Sequence, residues 1–91
     1  MELSEIRAKI DAVDDQLLDL FLQRMALAEA VGHYKKAHGL PILNTAREQE
    51  VLDNIAAQAG PQAEDACRLF ETLFMLSRSR QEKILSDETE R

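Results

Sequence analysis

The stretch LSEIRAKIDAVDDQLLDLFLQRMALAEAVGHY, residues 3–34, decides the fold. Its positions Leu3, Ile6, Ile10, Val13, Leu17, Leu20, Arg24, Leu27, Val31 and Tyr34 advance in alternating steps of three and four, and all but Arg24 are apolar. That is the repeat of a helical seam, and Leu18, Phe21, Met25 and Ala28 widen it. The pattern predicts one helix over about residues 4–37, roughly 50 Å long. A compact chain of this size is only about 30 Å across. The helix must therefore protrude, leaving apolar side chains wet unless another chain covers them. An oligomer follows, with a two-fold homodimer as the commonest closed form.

Working outward, Gly39-Leu40-Pro41 ends the long segment and Gly60-Pro61 divides the rest, these being the strongest breakers in the chain. Gly32 is the exception, a glycine within a helical pattern. Thr45-Ala46-Arg47-Glu48 reads as a capping box that opens a second helix over about 45–58, with Val51, Leu52, Ile55 and Ala59 on its stripe. Pro61 in a first-turn position, then Glu64 and Asp65 where the helix dipole favours acids, open a third helix over about 61–85. Its stripe is Ala63, Ala66, Phe70, Leu73, Ser77, Gln81 and Ile84, and residues 86–91 are expected to fray. The reading is all-α: three helices, one very long, in a single domain over residues 1–91.

Composition narrows the function classes. The chain is 45% hydrophobic and 31% charged, which makes it globular rather than disordered. Its longest apolar runs, Met25–Ala28 and Leu73–Leu76, are far too short to span a membrane. The start Met-Glu-Leu-Ser-Glu lacks a signal peptide's basic end and apolar block, so a cytoplasmic location is expected. Cys67 is the sole cysteine, which leaves no intrachain disulfide and no cysteine zinc cluster. A net charge of −6 argues against a nucleic-acid groove. It does not exclude an anionic small molecule, because a few bases focused in a pocket can outweigh an acidic exterior.

The informative residues are polar ones inside apolar stripes. Arg24 is the one charged member of the first seam. Lys35, eleven residues on, lies about 20° away on the wheel and roughly 16 Å along the axis. The plainer account of each is a snorkelling side chain with a buried stem and a wet head. Ser77 and Gln81 interrupt the third stripe four residues apart and so point the same way; the plainer account is a pair of core polar groups bonded to backbone. For Arg47 and Glu48 it is a solvated arginine and a glutamate closing the capping box. Arg7, at the edge of the first stripe, is by itself an ordinary surface charge. It stands roughly 25 Å from Arg24 on one helix. The two can share a small ligand only if a second copy of the helix runs antiparallel alongside. His33 and His38 lack the spacing of a helical metal site, and no phosphate-cradling loop or nucleophile motif is present.

Taken in order, Ile6 to Asp14 (IRAKIDAVD), Leu17 to Met25 (LLDLFLQRM), Lys35, Arg47-Glu48 and Ser77-x-x-x-Gln81 resemble the all-helical class of chorismate mutases, from about Ser4 to Glu82. The resemblance implies an intertwined homodimer with two active sites, no cofactor and no metal. It implies the rearrangement of chorismate to prephenate in phenylalanine and tyrosine biosynthesis. By this likeness Arg7 from the partner chain and Arg24 bind the two carboxylates, helped by Ser77. Lys35 and Gln81 are the catalytic pair at the ether oxygen. Glu48, with backbone near Asn44, holds the ring hydroxyl, and Arg47 completes the charged wall. The family often has Asp where this chain has Asn44. Such a pericyclic reaction needs no nucleophile or general base; it needs a restrained conformer and stabilised charge on the ether oxygen. Two other readings stand beside it: an isochorismate pyruvate lyase on the same fold, and a non-catalytic helical dimerisation module.

Overall fold

The computed structural model describes residues 1–89, with side chains through Asp87. Helix α1 spans Leu3–His38, α2 spans Thr45–Ala59, a 3-10 turn covers Gly60–Gln62, and α3 spans Ala63–Thr89. The chain measures 56 × 28 × 14 Å with a radius of gyration of 16.6 Å, against about 12 Å for a compact chain of this length. The long dimension is set by α1.

Each helix ends where local chemistry stops it. Gly39 takes a left-handed conformation with φ 63°, and its N–H caps the carbonyls of Lys35 and Lys36. A side chain there would be strained, so the glycine fixes the end of α1. Lys35, Lys36 and His38 in the last turn suit the negative end of the dipole. Helix α2 starts at Thr45, as expected, but Thr45 is not its cap. Asn44 is the N-cap, its Oδ1 accepting the Arg47 N–H at 3.1 Å. Asn is at least as good a cap as Thr, so Thr45 enters the helix and Glu48 is released from any capping role. Helix α3 continues beyond residue 85, so the frayed tail expected from residue 86 begins inside helix; Glu90 and Arg91 lie outside the described residues. No Gly or Pro interrupts that turn, and Lys36 Nζ ties it to α1 by donating to the Leu85 carbonyl at 3.1 Å.

Helix α3 packs against both α1 and α2, whereas α1 and α2 do not pack on each other among the described residues. The face that α1 turns to α3 carries Phe21, Met25, Ala28 and Gly32, each at least partly shielded. Each sits one residue on from a seam position, hence about 100° round the helix. The seam lies beside that face: Arg24 still reaches α3, but Leu17, Leu20 and Leu27 are 54%, 59% and 67% exposed. Every residue from Leu3 to Leu20 is exposed, so the first half of α1 is an unpacked arm roughly 27 Å long. Among the described residues the buried apolar side chains are Ala28, Phe74 and Ile84, joined by two polar ones, Ser77 and Gln81. Gly32 allows this close approach. A Cβ there would stand 3.2 Å from Gln81 Cγ and 3.3 Å from Ile84 Cδ1, tighter than ordinary packing.

Candidate active site

The second half of α1, the connection after Gly39, the first turns of α2 and the middle of α3 enclose a cavity of about 340 Å³. Its polar lining is Arg24, Lys35, Asn44, Arg47, Glu48, Ser77, Arg78 and Gln81, set against apolar walls that include Val31, Val51 and Phe74.

Arg24 reaches across to α3, where its Nη1 donates to Ser77 Oγ at 2.8 Å, joining residues 53 apart in sequence. Its guanidinium carbon lies 5.7 Å from the Phe74 ring centroid, a cation–π contact. Burial, and then the nearby Arg47 charge, lower its pKa from the ordinary arginine value. The group stays charged at any physiological pH. Among the described residues Arg24 has no ion-pair partner. It is a partly desolvated cation held by neutral groups, the arrangement that gains most when a carboxylate arrives.

Lys35 does not simply snorkel. Its Nζ donates to the Ile42 carbonyl at 2.5 Å, which fixes the ammonium at the cavity beside the α1–α2 connection. Ser77 spends its hydroxyl on Arg24 rather than on backbone. Gln81 is 7% exposed, and its buried Oε1 has no hydrogen-bond partner. Leaving such an acceptor unsatisfied costs about 1–3 kcal/mol, and only a donor can remove that cost; the amide nitrogen of the same side chain is the group able to donate. Glu48 pairs with Arg78, linking α2 to α3 at a half-buried position. Arg47 pairs with Glu50 on the exposed rim. Four cations and one carboxylate thus line the cavity of a chain whose net charge is −6, so positive potential is focused there.

Seven of the eight residues singled out in the sequence meet at this cavity: Arg24, Lys35, Asn44, Arg47, Glu48, Ser77 and Gln81. Arg7 does not; it lies on the exposed arm of α1. Three contributors escaped the sequence reading. Phe74 lies one residue off the apolar stripe of α3, and the Ile42 carbonyl carries no side-chain signal. Arg78 stands beside the interrupted stripe rather than in it, although its spacing, four after Phe74 and three before Gln81, places it on their side of α3. Cys67 lies elsewhere, its Sγ 3.8 Å from the Leu52 carbonyl. His38 Nδ1 is 2.8 Å from the Tyr34 carbonyl. Among the described residues no group of three His, Cys, Asp or Glu could hold a metal ion, and no helix is long and apolar enough to cross a membrane.

The arrangement can clamp a small polyanion and donate hydrogen bonds to an atom gaining negative charge. The family model for chorismate mutase type II matches residues 6–82. The chain is 41% identical over 54 residues to a chorismate mutase from Methanocaldococcus jannaschii, covering 59% of this chain and 54% of that protein. It is 38% identical over 58 residues to a 4-amino-4-deoxychorismate mutase from Streptomyces venezuelae, covering 64% and 56%. It is also 45% identical over 51 residues to the T-protein of Enterobacter agglomerans, covering 56% of this chain and 14% of that protein. The chain therefore spans about half the length of the first two relatives and a small part of the third.

Proposed function

The chain belongs to the chorismate mutase type II family, and from that premise we propose that it rearranges chorismate to prephenate, as a homodimer, in phenylalanine and tyrosine biosynthesis. One observation carries the reading. Arg24, Lys35, Ser77 and Gln81, drawn from two helices, converge on one cavity whose charge complements a dianion and whose donors suit a breaking carbon–oxygen bond.

The reaction is unimolecular. One carbon–oxygen bond breaks as one carbon–carbon bond forms, and no proton or electron leaves the substrate. The protein has to hold the compact conformer in which the reacting carbons meet. It also has to stabilise negative charge growing on the ether oxygen. Arg24 with Ser77 takes one carboxylate, and Arg7 of a second copy takes the other. Lys35 and the Gln81 amide donate to the ether oxygen. Glu48 accepts from the ring hydroxyl beside the backbone of Asn44, and Arg47 closes the wall. The Asn44 side chain is occupied as a helix cap. The contact expected at this position is a backbone one, so Asn in place of the family's frequent Asp leaves it intact.

The exposed seam and the arm support the homodimer. A second α1 running antiparallel, crossing near Asp15, covers Leu17 and Leu20 and brings its Arg7 level with Arg24. No other part of the same chain packs there among the described residues.

The test is incubation of the purified protein with chorismate, isochorismate or 4-amino-4-deoxychorismate, with products identified. The expected result is chorismate consumed in step with prephenate formed. Pyruvate released from isochorismate, with chorismate untouched, would replace this reading with a lyase. Preferential rearrangement of the 4-amino compound would make the chain resemble its Streptomyces relative in activity.

Gln81 gives a pH-dependent check. The amide donates over the whole working pH range, whereas a glutamate there donates only when protonated, and as an anion it repels the developing charge. Burial at this position pushes a carboxyl pKa up, while Arg24 and Lys35 pull it down. Gln81→Glu is expected to lose about 10² or more in turnover at pH 7.5 and to recover as pH falls through that carboxyl's pKa. A pH–rate profile parallel to wild type would remove Gln81 from the ether site.

A further inference from the structure

We infer that Arg78, through its ion pair with Glu48, sets which ring substituent the cavity accepts, favouring a neutral hydroxyl over a cationic amine. The inference rests on the chorismate mutase reading of this site. Glu48 is the only carboxylate on the cavity wall among the described residues, while Arg24, Lys35, Arg47 and Arg78 are its cations. It is therefore the group that decides how a positively charged substituent fares. Released from the helix cap, it turns to Arg78, with one carboxylate oxygen bonded to Arg78 Nη1 and both side chains only about a quarter to a third exposed.

Two consequences follow from simple electrostatics. First, a bare carboxylate in a half-buried site repels a dianionic ligand; pairing with Arg78 largely cancels that repulsion. Second, a bare carboxylate would attract an ammonium strongly and a hydroxyl only modestly. With Arg78 attached, the paired groups present almost no net charge, so the ammonium loses its advantage. The hydroxyl keeps its hydrogen bond, because a carboxylate offers about four acceptor sites and Arg78 does not exhaust them. Arg78 thus acts as a positioning and specificity residue through Glu48, by disfavouring the wrong ligand as well as accommodating the right one. The 4-amino-4-deoxychorismate named for the Streptomyces relative is the natural probe, since it carries an amine in place of the ring hydroxyl.

Discrimination is read as the inhibition constant of 4-amino-4-deoxychorismate, added as a competitor, divided by the KM for chorismate. In Arg78→Gln this quotient is expected to fall about 10-fold or more, the amine binding better and chorismate worse. Arg78→Lys keeps the cation and is expected to hold the quotient within about 3-fold. Glu48→Gln leaves Arg78 unpaired and is expected to move the quotient in the opposite direction, so the idea can be judged even if Arg78→Gln does not fold by circular dichroism. A quotient unmoved in both glutamine variants, with chorismate turnover reduced, overturns the assignment and leaves Arg78 as a packing residue between α2 and α3. A wild-type protein that converts chorismate confines that failure to Arg78. One that does not convert chorismate overturns the mutase reading and this inference with it.

Discussion

Arg7→Ala and Arg24→Ala are each expected to be nearly inactive, and the two refolded together are expected to regain about a quarter of wild-type activity. Each homodimer lacks one carboxylate clamp in both of its sites. Random reassortment makes about half the dimers mixed. A mixed dimer has one site with both defects and one intact site, which takes Arg24 from the Arg7→Ala chain and Arg7 from the Arg24→Ala chain. The recovered activity is expected to show the wild-type KM, because the sites that contribute are complete. The distance between Arg7 and Arg24 along α1 and the exposure of everything from Leu3 to Leu20 lead to this expectation. If Arg7 served its own chain, or were only a surface charge, reassortment would return the mean of the two parents. Mixed dimers confirmed by mass, without recovery, would refute the shared site.

Lys35→Ala is expected to cost about 10²–10³ in turnover, the loss typical of removing one preorganised donor from a developing oxyanion. KM is expected to change much less, since the ether oxygen carries little charge before the bond breaks. The fold is expected to survive. The bond lost is a part-buried one to the Ile42 carbonyl in the α1–α2 connection, beside an open cavity from which water can replace the ammonium. Steady-state kinetics together with far-ultraviolet circular dichroism checks both halves. Near-normal turnover in a folded protein would take Lys35 out of the reaction.

The sequence revealed more of the site than of the packing. Arg24, Lys35, Ser77 and Gln81 stood out because a polar group in an apolar stripe contradicts its surroundings, and that contradiction needs no structure to be seen. Arg78 sits at a position where charge is unremarked, so only its contact with Glu48 identifies it. The start of α2 at Thr45 is legible in the sequence, but its cap is not, because Asn44 and Thr45 are both competent caps and only the Arg47 N–H contact decides between them. The seam of α1 was legible as a seam, but its partner was not. Periodicity says which face is apolar; it does not say that α3 takes the neighbouring face and leaves Leu17, Leu20 and Leu27 in water. Gly32 read as an anomaly because a missing side chain announces nothing until Gln81 is found lying against it.

In the proposed homodimer, the unpacked arm makes stability a matter of mass action. Among the described residues the fully buried apolar side chains of a single copy are Ala28, Phe74 and Ile84, so a second copy covering the arm would add hydrophobic gain that one copy lacks. Association would then contribute to the folding free energy directly, and the midpoint of thermal unfolding is expected to climb with protein concentration. Dilution of the proposed homodimer would remove the dimer and the second arginine of each site in one step. Catalytic competence and thermodynamic persistence would then be governed by the same dissociation constant.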